Sequence, residues 1–188
     1  MYWVMANERS DENELSIDGI PPMIEKNDWN FDSGEIIHIP LPVIEIPYTI
    51  EACERKTDNL IAHGCRGLLV HKKIRAALDN IETSNVDYYK TKLINRNNGN
   101  VDNEYYIANV IGLIDCIDHE KSKLVIDEDD GDIEFIDKMV LKDPGNEGYP
   151  DIFRISEFLP IIIVSDSVKM ALKSFSGFIF YKPEDYSL

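Results

Sequence analysis

An α+β fold, with a mixed or antiparallel sheet and a few short helices, is predicted by three features of the sequence. The first is a weak internal repeat: Val70-His71-Lys72-Lys73-Ile74-Arg75-Ala76-Ala77-Leu78-Asp79 returns, from Val164 onward, as Val164-Ser165-Asp166-Ser167-Val168-Lys169-Met170-Ala171-Leu172-Lys173. Apolar residues in each copy (Ile74, Ala77, Leu78, Ile81; Val168, Ala171, Leu172, Phe175) fall at i, i+3, i+4 and i+7, the stripe of a short helix facing a core. The second is that an apolar run precedes each helix (67–70; 159–164) and an aromatic run follows it (86–90; 178–182), so each copy reads as a strand-helix-strand pseudo-repeat. The third is Asn98-Gly99 between two strand-like runs, a strong short-range hairpin signal.

Taken in order, residues 2–6 read as a first strand and the polar stretch 7–18 as an exposed loop with little to bury. Prolines at 21, 22, 40, 42 and 47 leave room only for short extended pieces such as 35–39 and 41–46. Residues 49–56 suit one or two helical turns, and Gly64 and Gly67 break the chain before the first repeat unit. Residues 86–114 form a hairpin whose return arm, 105–114, is apolar enough for a central strand buried on both faces. A further strand is expected over 133–141, with Ile133, Phe135, Met139 and Leu141 on one side and Asp137 interrupting them. Ser165 is a good N-cap for the second repeat helix, and Asp166 suits its first turn. The expected organisation is one compact domain over 1–188: a proline-interrupted, irregular part, 1–55, docked on a sheet-plus-helices core, 56–188.

Composition narrows the partners. The 19 basic and 35 acidic residues give a formal charge of −16, which repels nucleic-acid phosphates and anionic membranes and favours a basic protein. Three cysteines cannot all pair, and no eighteen-residue apolar stretch or basic leader is present, so a reduced, cytoplasmic protein is expected.

No catalytic, metal or phosphate motif stands clear of an ordinary structural explanation. Cys53, His63, Cys65 and His71 carry zinc-ligand chemistry but lack the short paired knuckle of structural sites. Asp115-Cys116-Ile117-Asp118-His119-Glu120 brings a thiol, carboxylates and an imidazole together, yet on a strand Cys116 and His119 face opposite sides. Asp127-Glu128-Asp129-Asp130-Gly131-Asp132 places Ile126 where a calcium loop needs its first ligand, and reads better as a solvated turn. No catalytic residue, metal or cofactor is therefore expected. Candidate partner-binding residues are the acidic group Glu128, Asp129, Asp130 and Asp132, then Lys72 and Lys73.

Three segments carry a family resemblance: Tyr105-Tyr106-Ile107-Ala108-Asn109-Val110 running into Asp115-Cys116-Ile117-Asp118 and Lys121-Ser122; Ile152-Phe153-Arg154-Ile155; and Ile162-Ile163-Val164-Ser165 followed by Val168-Lys169-Met170-Ala171-Leu172. Together with Gly177-Phe178-Ile179-Phe180 and Pro183, they make residues 60–185 resemble the bacterial polymorphic-toxin immunity protein family eleven, formerly described as a domain of unknown function. The resemblance implies a cytosolic protein, not an enzyme, that binds and neutralises a cognate antibacterial toxin by occluding its active site. The acidic charge makes a basic nuclease the favoured toxin class. The family pattern favours serine where His71 stands, so the first repeat departs from it at its cap. The alternatives are a small enzyme reversing a toxin's modification, built on Asp115, Cys116, Asp118 and His119, and an accessory protein of a secretion apparatus.

Overall fold

Period 3.6 inside each repeat and period 2 around it produce the same unit twice. The computed structural model describes residues 1–8, 12–127 and 131–187. Their elements, in chain order, are β1 (Tyr2–Asn7), α1 (Pro22–Asn27), β2 (Ile44–Tyr48), β3 (Asn59–Leu60), β4 (Leu68–His71), α2 (Lys72–Asn80), β5 (Val86–Asn95), β6 (Val101–Asp102), β7 (Tyr105–Val110), β8 (Leu113–Ile114), β9 (Lys123–Ile126), β10 (Ile133–Lys138), β11 (Ile152–Ile155), β12 (Phe158–Ser165), α3 (Asp166–Leu172) and β13 (Phe178–Tyr181). Single 3₁₀ turns occupy His63–Cys65 and Pro183–Asp185. No described helix is long and apolar enough to cross a membrane.

One sheet has the order β2-β5-β7-β4-β3, with β6 paired to β5; another has the order β13-β1-β12-β11-β8. In the first, β4 and β5 are both antiparallel to β7, so they run parallel, joined by α2, with β7 between them. In the second, β12 and β13 are both antiparallel to β1 and are joined by α3. Both are split β-α-β units, and β3 and β11 extend them in the same way. Only the source of the middle strand differs: β7 follows β5, whereas β1 comes from the other end of the chain. The two halves are thus circular permutations of one pattern.

The match continues into single bonds. The His71 amide donates to the Asp58 carbonyl at 2.7 Å, and the Ser165 amide to the Asp151 carbonyl at 2.8 Å. Lys72 N–H donates to Glu104 O at 2.7 Å, and Asp166 N–H to Met1 O at 3.1 Å. An ion pair links the same positions with its sign reversed: Lys72 with Glu104, and Asp166 with the Met1 ammonium. Arg75 lies over the rings of Tyr88 and Tyr106, and Lys169, its counterpart, over Trp3.

The halves are also tied to each other at matching places. The Asn59 side chain of β3 donates to the Gly177 carbonyl just before β13 at 2.9 Å, and the Asn85 side chain just before β5 donates to the Ile152 carbonyl of β11. Element for element the two contacts correspond, as in a two-fold interface, although both donors come from the first half. Ile74, Leu78, Val70, Ala108 and Val110 from one half and Val168, Leu172, Met5, Val164 and Phe178 from the other form one apolar cluster. Beyond it, the far face of the first sheet packs Leu60, Leu69 and Ile107 on Leu15, Ile17, Ile24 and Phe31. The far face of the second sheet packs Val4, Phe153, Ile161 and Ile163 on Ile133, Ile136 and Met139.

Several expectations change. The one sheet foreseen for the core is three: β7 stops at Val110 and Gly112, at φ +113°, turns the chain into β8 beside β11, while β9 and β10 pair as a separate two-stranded sheet. Of the stretch 7–18, residues 9–11 lie outside the described residues, and the part from 12 on is no exposed loop: Glu14, Leu15 and Ile17 are buried, held by bridges to Arg55 and Ile61. Residues 49–56 make a turn and no helix. Residues 35–39 form no strand, and the following strand sits at Ile44–Tyr48, parallel to β5.

His71 does cap its helix, its Nδ1 accepting from Lys73 N–H at 3.2 Å. Burial and Lys73 hold its pKa below the ordinary value of 6.5, so folding favours the neutral ring, the form with a free Nδ1 lone pair. The cap's contribution is full above that ordinary value and is lost as pH falls through the lowered folded value. Urea denaturation of wild type and His71→Ser is therefore expected to show the serine variant gaining relative stability as the pH drops from neutral toward 5, an order-of-magnitude window set by histidine titration. At Gly177, φ is +91° and a Cβ would overlap the Asn59 carbonyl oxygen. Gly177→Ala should cost about 2 kcal/mol or more in the same measurement, and a loss under about 0.5 kcal/mol would contradict this close approach.

Candidate functional site

Two bulges in β10 turn an apolar side chain of the second half of the molecule outward. β9 and β10 pair as Ile126 with Ile133, Val125 with Phe135, Leu124 with Ile136 and Lys123 with Lys138, with register shifts at Glu134 and Asp137. Each shift sets two residues of β10 against one of β9, which re-aims the side chains that follow. Ile133 and Ile136, three apart, therefore both reach the core, and Phe135 between them turns outward. The sequence reading placed Phe135 with Ile133 on one side; the bulge is the physical reason it is not.

On the outer face Phe135 is 44% exposed and its cross-strand partner Val125 49%. An exposed aromatic beside an exposed β-branched residue makes a small apolar patch turned to solvent. Asp127, Asp132 and Glu134 stand around it toward the tip, and Asp137, paired with Lys123 at 3.6 Å, stands at the base. An apolar centre with a charged rim is the anatomy of a protein-binding face. Of the predicted acidic group, Asp132 lies at this tip, where its carbonyl accepts from Asp127 N–H at 2.8 Å. Glu128, Asp129 and Asp130 lie outside the described residues. Val125 and Phe135 were missed because their exposure depends on the bulges; the spacing of three from Ile133 to Ile136 to Met139 was the available signal.

Lys72 and Lys73 are not part of this face. They open α2, on the side of the second sheet where α3 packs, whereas the β9–β10 hairpin covers the opposite side. Lys72 is paired with Glu104, which raises its pKa.

The thiol-imidazole cluster is not assembled for nucleophilic chemistry. Cys116 is buried in the core under the hairpin, and burial pushes its thiol up to about 12, so it stays protonated at neutral pH. The exposed His119 ring pairs instead with Glu157. Asp118 pairs with Lys121 at 2.6 Å, and Asp115 with Lys142 at 2.5 Å. Of the four zinc-type residues, Cys53 is exposed in a turn, Cys65 is buried with its thiol also raised to about 12, and His71 is committed to its cap.

A comparison with curated proteins finds no match. A family model does match, over residues 20–185, so the similarity begins well before residue 60, where the resemblance read from the sequence started. Its description is Immunity protein family (Imm11), and with nearly the whole length matched the chain belongs to that family, whose members neutralise a toxin.

Proposed function

We propose that this immunity protein works by stoichiometric binding, with the outer face of the β9–β10 hairpin seated in the active-site groove of its toxin. The observation that carries this reading is the Val125–Phe135 pair, held outward by two bulges and ringed by carboxylates. Its partner is a basic protein, and a nuclease fits best: carboxylates at the hairpin tip would occupy positions meant for substrate phosphates. The net charge of −16 supports the same choice by steering a basic partner toward this surface. Because binding precedes any damage only if it occurs where the toxin would act, the protein works in the cytoplasm of the producing cell. It does so without catalysis.

Phe135→Asp should leave the fold intact, since the ring is largely in solvent, and weaken binding to the co-encoded toxin by about 2 kcal/mol or more, some thirtyfold. Reversing Asp132 and Glu134 to lysine, alone and with Glu128, Asp129 and Asp130, should slow association and flatten its salt dependence. Lys72→Glu with Lys73→Glu, on the other side of the sheet, should do less. Surface-plasmon measurements in which the α2 pair outweighs Phe135→Asp would move the site to α2.

Cys116→Ala combined with His119→Ala tests the non-catalytic mode. Cells carrying it should survive the toxin as wild type does, and lost protection with the complex still formed would show that chemistry is involved.

A further inference from the structure

A charge sits inside β11 with almost nothing to hold it. Arg154 is 2% exposed, in a strand whose four residues are all buried. Its Nη1 donates to the Leu159 carbonyl at 2.8 Å, while the buried Nε finds no acceptor in the protein. Among the described residues no carboxylate comes within ion-pairing distance of the guanidinium. Burial disfavours its charge, opposed only by the field of Asp32. A buried cation with one carbonyl bond is costly unless something completes its shell.

Arg154 lines a cavity of about 170 Å³ between the two halves. Leu60, Ala62, Leu68 and Ile162 supply apolar wall, and His63, Asn7 and Asp32 supply polar groups. We infer that this cavity is a binding site for a single carboxylate, taken side-on by Arg154. A planar carboxylate matches the guanidinium edge and makes two charge-assisted bonds to it. The volume suits an acetate-sized group with a short apolar stem along the Leu60–Ile162 wall. Asp32 on the same wall sets the selectivity: its repulsion grows with ligand charge, so a monoanion is accepted and a phosphate dianion is not. The carboxylate comes either from a small molecule in solution or from an aspartate or glutamate side chain of the bound toxin.

The test follows the Arg154 Nε–H resonance and the Ala62 and Gly67 amides in the full chain by ¹H–¹⁵N NMR during titration with sodium acetate, and in parallel with inorganic phosphate. The expected result is a saturable acetate shift below about 100 mM, a much weaker response to phosphate, and loss of the amide shifts in Arg154→Gln. Asp32→Asn, on a half-buried loop, should tighten acetate binding about threefold or more without disturbing the fold. Adding the purified toxin separates the two sources: if its side chain is the ligand, Nε–H moves to its acetate-bound position and acetate no longer shifts it, whereas a small-molecule site stays open to acetate. Absence of a saturable shift, an equal response in Arg154→Gln, or unchanged affinity in Asp32→Asn would overturn the assignment. The acetate and Asp32→Asn arms use no toxin, so their failure leaves the immunity mechanism standing.

Discussion

Neither repeat helix can cover its own sheet, and the remainder of the architecture answers that shortfall. At 1.5 Å per residue, the nine residues of α2 span about 14 Å and the seven of α3 about 10 Å, against sheets of five and six strands. An amphipathic sheet left half bare would expose its apolar face. Here the helices lie against each other, and their stripes meet the inner faces of both sheets in one cluster. The Asn59 and Asn85 bonds then tie the edges of this shared core.

A shared interior frees the outer faces for other tasks. The far side of the first sheet is closed by the segment around Leu15, Ile24 and Phe31, and the far side of the second by the β9–β10 hairpin. The latter closure sets a buried inner row directly against an outward cross-strand pair, Val125 and Phe135. Rigid packing below Phe135 means its ring is presented at little entropic cost, which favours affinity in a bound complex. The Arg154 cavity opens where the halves meet, at a boundary that two differently permuted units need not fill alike.

How far the sequence revealed all this depends on how local each feature is. The two helices and the Ser165 cap were legible because their pattern repeats within a single turn, and a family likeness was legible from the apolar register of 105–118, 152–155 and 162–172. The separate second large sheet was not, because it turns on β1 pairing with β12 and β13, contacts no periodicity can announce. The proposed binding face was half legible: its acidic residues showed in composition, but Phe135 and Val125 followed from bulges that break the alternation on which strand reading rests. Arg154 was in plain view inside an apolar run, and only its burial turned it from a family marker into an unpaired charge.

The borrowed middle strand has a consequence in time. Trp3 and Asp166 are bonded across 163 residues, and β13 follows later still, so the second sheet cannot close until β13 has left the ribosome. The first half, whose middle strand lies next to β5, can form while synthesis continues. During that interval β1 waits with its apolar face unpaired, and the hairpin that leans on Val4 and Ile163 has no floor. The support beneath the hairpin therefore arrives late, with the docking of β12 and β13 on β1. The lag between the first half's folding and the second's is a property of strand order.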